Sequence, residues 1–105
     1  MIKHVNEENF EEVISKLSKV ILVDFYATWC GPCQMLSPVL EKIASSRADF
    51  DIVKIDIDES KNLTEKYNIQ VVPTLIIFKD LKKVKQLEGY YNENELVSLV
   101  EEYID

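Results

Sequence analysis

Val20-Ile21-Leu22-Val23-Asp24-Phe25-Tyr26-Ala27 is a run of strand length, broken in its apolar character only by one carboxylate. Such runs suit a strand covered by helices on both faces, because neither face meets water. The chain continues through Thr28-Trp29-Cys30-Gly31-Pro32-Cys33. From Gly31 to Ser45, Met35, Leu36, Val39, Leu40 and Ile43 recur at helical spacing, with Pro38 inside the helix and expected to kink it. A buried strand therefore hands over to a helix at a Cys-x-x-Cys.

Upstream, Ile2 to Val5 reads as a short strand. Asn6 reads as an N-cap with Glu7 and Glu8 in the first turn, ahead of the stripe Phe10, Val13, Ile14 and Leu17. Downstream, Asp51 to Ile57 alternates, with Val53, Ile55 and Ile57 on one side, and a short helix from Glu59 to Tyr67 turns Leu63 and Tyr67 inward. Pro73 to Phe78 is a strand opening at a proline, where a missing N–H is tolerated. A turn over Lys79 to Lys82 leads to an edge strand, Val84 to Glu88. Asn92 with Glu95 forms a capping box for a last helix that buries Leu96, Val97, Val100, Tyr103 and Ile104. The order β-α-β-α-β-α-β-β-α gives an α/β fold: a central mixed five-stranded sheet flanked by four helices.

At 105 residues the chain has room for one domain, taken as 1–105. Its hydrophobic fraction of 47%, with 2 Gly and 3 Pro, describes a folded rather than a disordered sequence. A net charge of −7 argues against nucleic acid and anionic membranes, which want a basic face. The N-terminus carries no apolar h-region or cleavage site, and no stretch reaches the length of a membrane span, so a cytoplasmic address is expected. Thiols are kept reduced there, which points two cysteines toward redox or metal chemistry instead of a structural staple.

Cys30 at a helix N-terminus faces free N–H groups and the positive end of the helix dipole. Both favour the thiolate, the attacking species in disulfide exchange. Cys33, about one turn on, can close a ring with it, and is expected to be the less exposed sulfur. Zinc wants four ligands, and the chain has no second cysteine pair and only one histidine, His4. No metal is therefore expected.

The segment Val23-Asp24-Phe25-Tyr26-Ala27-Thr28-Trp29-Cys30-Gly31-Pro32-Cys33 resembles the thioredoxin family. Pro38, Lys54 in Val53-Lys54-Ile55-Asp56, Val72-Pro73-Thr74 and Gly89 extend the resemblance over essentially the whole chain. It implies a thioredoxin fold acting as a protein-disulfide reductase in cell redox homeostasis and electron transport. The Cys30 thiolate would attack a substrate disulfide, and Cys33 would resolve the mixed disulfide. The only redox group would be the Cys30–Cys33 disulfide, with no bound cofactor. The partners implied are protein disulfides and a thioredoxin reductase, a flavoprotein drawing on NADPH or ferredoxin, served by a monomer.

Asp24 lies in a run that should be buried, where a lone carboxylate raises its pKa. The resemblance gives it the proton of the resolving thiol and sets Lys54 beside it. It also implies a partly exposed Trp29 on the docking rim, and a Gly31-Pro32 pair that favours reduction. X–Pro bonds are usually trans, but the resemblance implies a cis bond before Pro73, which would press on Cys30, exclude metal and leave the Val72 backbone free for an extended substrate. Several positions depart from the family pattern. Gln34 replaces a frequent basic residue, Leu81, Asn68 and Val71 replace frequent glycines, and Tyr26 replaces a common tryptophan. Three rival readings stand beside this one: an oxidant or isomerase of the same fold, a glutaredoxin-like enzyme, and an interaction subunit whose dithiol is not essential. Gly31-Pro32 speaks against the first two, and the full set of cysteines, Asp24 and Pro73 against the third.

Overall fold

The computed structural model describes residues 2–105; Met1 lies outside them. The elements run β1 (Ile2–Val5), α1 (Phe10–Ser15), β2 (Val20–Tyr26), α2 (Gly31–Ser46), β3 (Asp51–Asp56), α3 (Lys61–Lys66), β4 (Thr74–Lys79), β5 (Lys82–Glu88) and α4 (Glu93–Glu101). The sheet order is β1-β3-β2-β4-β5. β3 pairs in parallel with both β1 and β2, whereas β4 is antiparallel to β2 and to β5. This is the expected mixed sheet with four helices.

Alternation along β2 splits the core in two. Ile21, Val23 and Phe25 join Phe10, Ile14 and Leu63 beneath α1 and α3. Val20 and Leu22 point the other way, into Leu36, Leu40, Ile43, Leu96 and Val100 of α2 and α4. Both faces of the strand are thus dry, as its nearly continuous apolar composition requires. Asp24 has the parity of Leu22 and therefore lies on the α2 side.

The first helix starts later than its sequence implies. The Asn6 side chain accepts the backbone N–H groups of Glu8 at 2.9 Å and Asn9 at 3.2 Å, closing a turn before the helix. The helix itself begins at Phe10, with Glu11 and Glu12 in its first turn. An asparagine can satisfy a local turn as readily as a helix start, and here the turn wins. The capping box at α4 is present as expected, with Asn92 and Glu95 exchanging hydrogen bonds of 2.9 Å.

The β4–β5 hairpin also differs: β5 starts at Lys82, two residues earlier than expected, and a register shift falls opposite Ile77/Phe78. Its two-residue turn puts Asp80 at φ 51° and Leu81 at φ 69°. Two-residue hairpins favour this left-handed pair because it matches strand twist, but a leucine there sets its Cβ against its own backbone. Asn68, at φ 53°, is a residue type that accepts the same region. Leu81→Gly should raise stability by about 0.5–1 kcal/mol, the left-handed penalty less the entropy of a more flexible unfolded chain. Urea unfolding measures it, and an unchanged or lower midpoint would show that the half-exposed leucine's packing outweighs the strain.

Candidate active site

The dithiol sits where β2 ends and α2 begins. Cys30 is the N-cap of α2, in extended conformation, with Pro32 in the first turn, where its missing N–H goes unused. The Cys30 sulfur accepts the Cys33 N–H at 3.1 Å, the bond a serine or aspartate cap would make. The two sulfurs are joined as a disulfide, with Cα atoms 5.3 Å apart. Exposure does not separate them as expected: Cys30 is 5% exposed and Cys33 4%. Ala27, Tyr26, Ile57 and Val72 pack around the pair, so Cys30 is covered as well. What distinguishes it is its place at the helix end.

The segment before β4 closes over this sulfur. The Val72–Pro73 peptide is cis, and the Val72 carbonyl oxygen lies 3.6 Å from Cys30 Sγ. Val72 precedes the first strand residue, Thr74, and stands outside the β-ladder. Two further bonds fix this segment: the Thr74 hydroxyl donates to the Val71 carbonyl at 2.7 Å, and the Gly89 N–H to the Pro73 carbonyl at 2.8 Å. Gly89 adopts φ +93°, a conformation side chains disfavour. A Cβ at either glycine would meet open space, so it is the backbone angle that demands a glycine at position 89, and packing demands none at Gly31.

Trp29 is 68% exposed, and its indole N–H donates to the Asp58 carboxylate at 2.9 Å. Its ring, with Ile57, Ile69, Gln70, Val71 and Val72, lines a groove of about 280 Å³ beside the dithiol. Gln34 donates its amide to the Thr28 carbonyl at 3.3 Å and brings no charge to the helix start.

Asp24 is fully buried, and neither carboxylate oxygen has a hydrogen-bond partner among the described residues. Burial pushes its pKa up from 3.8 to about 7, with the Lys54 charge opposing the rise. The two residues are register partners across β2 and β3. Lys54 does not reach Asp24 as an ion pair. Its ammonium donates to Ser37 Oγ at 3.4 Å and stands over the Tyr26 ring, 4.5 Å from the centroid. Lys54, Tyr26, Ser37 and Cys33 line one cavity of about 220 Å³, together with Ala27, Thr28 and Gln34.

The candidate site residues thus gather toward the end of the sheet where β2 and β3 finish and the antiparallel β4 begins. Sequence reasoning missed Asp58 and Ser37 and gave Tyr26 no part. Asp58 had one usable signal: parallel β2 and β3 bring the loops that follow them to the same end of the sheet. Ser37 had none, because its meeting with Lys54 depends on how α2 lies across β3. Among the described residues no group of three or more His, Cys, Asp or Glu side chains could hold a metal ion, and no helix is long and apolar enough to cross a membrane.

A Cys-x-x-Cys disulfide that caps a helix and is covered by Val72 defines a thiol–disulfide oxidoreductase. The thioredoxin family model matches residues 1–102. Thioredoxin from Chlamydia trachomatis is 42% identical over 103 residues, covering 98% of this chain and 99% of that protein. Thioredoxin from Staphylococcus haemolyticus is 40% identical over 104 residues, with 98% of each chain covered. Among solved structures, a mutant thioredoxin from Halobacterium salinarum superposes with a TM-score of 0.91 at 39% identity, covering 99% of this chain and 91% of that one. Reduced Schistosoma mansoni thioredoxin superposes at 0.88 with 30% identity, with 98% of each chain covered. The chain belongs to the thioredoxin family, and its activity is protein-disulfide reduction by its own active-site cysteine pair.

Proposed function

We propose that Cys30 is the attacking sulfur and Cys33 the resolving one. The observation that carries this is the Cys30 sulfur in the N-cap position, accepting the Cys33 N–H at 3.1 Å. A sulfur so placed is stabilised as an anion by a hydrogen bond and by the helix dipole. The Cys30 thiolate attacks one sulfur of a substrate disulfide, whose other sulfur leaves as a thiolate and takes a proton from water. Cys33 gives its proton to the Asp24 carboxylate and attacks Cys30. The second substrate thiolate departs, and the Cys30–Cys33 disulfide holds the oxidising equivalent. Two electrons have passed to the substrate.

Trp29 and the groove it lines are the docking rim for an extended apolar segment around the substrate disulfide. Val72 offers its backbone beside Cys30, with Pro73 and Gly89 holding that backbone in place and Gly31 and Pro32 shaping the low rim between the sulfurs. A flavin-containing reductase using NADPH or ferredoxin recharges the disulfide, making the protein an electron carrier. The single domain acts as a monomer in the cytoplasm, where the thiol pool keeps its targets reducible. A purely structural role is not favoured, since it gives the buried Asp24 and the capped Cys30 nothing to do.

Two measurements test these roles. Reduced protein should cleave insulin disulfides, and iodoacetamide should alkylate Cys30 before Cys33, with a rate midpoint well below the ~8.5 of a free thiol. A midpoint at the free-thiol value, or first alkylation at Cys33, would reverse or remove the assignment.

A further inference from the structure

Among the described residues Lys54 is the cation whose charge acts on Asp24, yet the two do not pair. On neighbouring parallel strands in direct register, their side chains leave the sheet on the same face. The ammonium bypasses the carboxylate and ends between Ser37 Oγ at 3.4 Å and the Tyr26 ring at 4.5 Å. Ser37 belongs to α2, whereas Tyr26 lies on β2 two residues beyond Asp24 and shares its face. The carboxylate oxygens remain without any hydrogen-bond partner among the described residues. Ring and hydroxyl therefore fix how far the positive charge stands from Asp24.

We infer that Tyr26 is a positioning residue for the reductase reaction, acting through Lys54: its ring anchors the ammonium over the cavity that Cys33 also lines and so fixes where this charge stands relative to Asp24. This rests on the proton-acceptor role proposed for Asp24. An ammonium over an aromatic face is held by the ring quadrupole, and more strongly where water is partly excluded. Lys54 is only 9% exposed, which meets that condition. With the ring gone, the flexible four-carbon stem is free to carry its charge out toward water, as lysines at a protein surface do. Asp24 then loses part of the one influence that lowers its pKa.

Other charges face this cluster. Burial raises the Tyr26 phenol pKa, and Asp56 at the end of β3, Glu59 in the following loop and Asp24 add to the rise. From β1, the His4 ring meets Tyr26 edge-on at 6.3 Å, and His4 is the register partner of Lys54. Cys33 shares the cavity from α2. Among the described residues Lys54 is the ammonium held over the Tyr26 ring, and the ring does the holding, so a phenylalanine should preserve the effect and a leucine should abolish it.

The test is a double-mutant cycle read by NMR titration of the Asp24 carboxyl carbon in the oxidised protein, where neither cysteine titrates. Tyr26→Leu should move the Asp24 midpoint up by about half a pH unit, and Tyr26→Phe should leave it within about 0.2. In a Lys54→Met background, Tyr26→Leu should cause no further rise, because the charge it positions is absent. An equal rise in that background would mean that the ring merely shields Asp24 from water, and an unmoved or lowered midpoint in the parent background would equally overturn the inference. The pH profile of insulin reduction separates the two claims. If the NMR midpoint shifts but the rate profile does not follow, Asp24 is not the proton acceptor, while the positioning by Tyr26 stands.

Discussion

Asp24→Asn should gain stability relative to the parent protein as pH rises, the difference between them growing by about 4 kcal/mol from about pH 3.5 to about pH 8. The cause is a carboxyl group at zero exposure with no hydrogen-bond partner among the described residues. Its pKa stands at about 7 in the fold against 3.8 for the unperturbed group, burial being the larger influence and Lys54 the opposing one. Below about pH 3.8 both folded and unfolded chains carry it protonated, and it costs nothing electrostatic. Between that pH and about 7 the unfolded chain releases the proton while the folded chain keeps it, so stability falls with rising pH. Above that the folded chain ionises too, and the loss levels off. Urea unfolding of the two oxidised proteins across this range cancels every other titrating group to first order. A difference that stays flat with pH would mean that Asp24 is solvated or paired in solution. The same variant should slow resolution of the mixed disulfide, so the residue that weakens the fold at neutral pH is the one the reaction uses.

The architecture was legible because its signals are local and redundant. The β2 run fits a strand dry on both faces, and the helical spacing that begins at Gly31 puts the dithiol at the start of the next helix. Where two local solutions compete for one residue, the sequence misled. Asn6 satisfies a turn instead of capping α1, and the reading of Val84 as a strand start overlooked Lys82 and Lys83, whose pairing with β4 depends on a tight turn through Leu81. The site divides the same way. Residues within Trp29 to Cys33 are read together because they are adjacent in the chain. Lys54 and Pro73 came from family likeness, since nothing local says which strand lies beside which. The relative exposure of the two cysteines was misjudged because the cover over Cys30 comes from Val72, 42 residues away. Asp58, which accepts the Trp29 indole N–H, and Ser37 beside Lys54 are likewise products of strand and helix placement, which only the assembled sheet reveals.

Cys33→Ser should convert the enzyme into a trap: attack continues, turnover falls by on the order of a thousandfold or more, and a covalent mixed disulfide with the substrate accumulates. The substitution keeps the backbone N–H that the Cys30 sulfur accepts at 3.1 Å, so the helix-end stabilisation of the attacking thiolate survives. What disappears is the second sulfur, whose Cα lies 5.3 Å from that of Cys30. A neighbour held so close acts as if present at many molar, because its translational freedom is already lost; well-oriented intramolecular groups reach effective molarities of about 10⁵ M and above. A millimolar thiol in solution is a poor substitute even if only a small part of that advantage is realised here. The mixed disulfide is also shielded, since Ala27, Tyr26, Ile57 and Val72 pack around the sulfurs and limit approach from outside. Intact-mass spectrometry should show one adduct per chain, stable to alkylation and released by dithiothreitol. Cys30→Ser should give no adduct at all. Adducts formed by Cys30→Ser and not by Cys33→Ser would exchange the roles of the two sulfurs. Adducts from neither would remove the helix-end thiolate from the reaction.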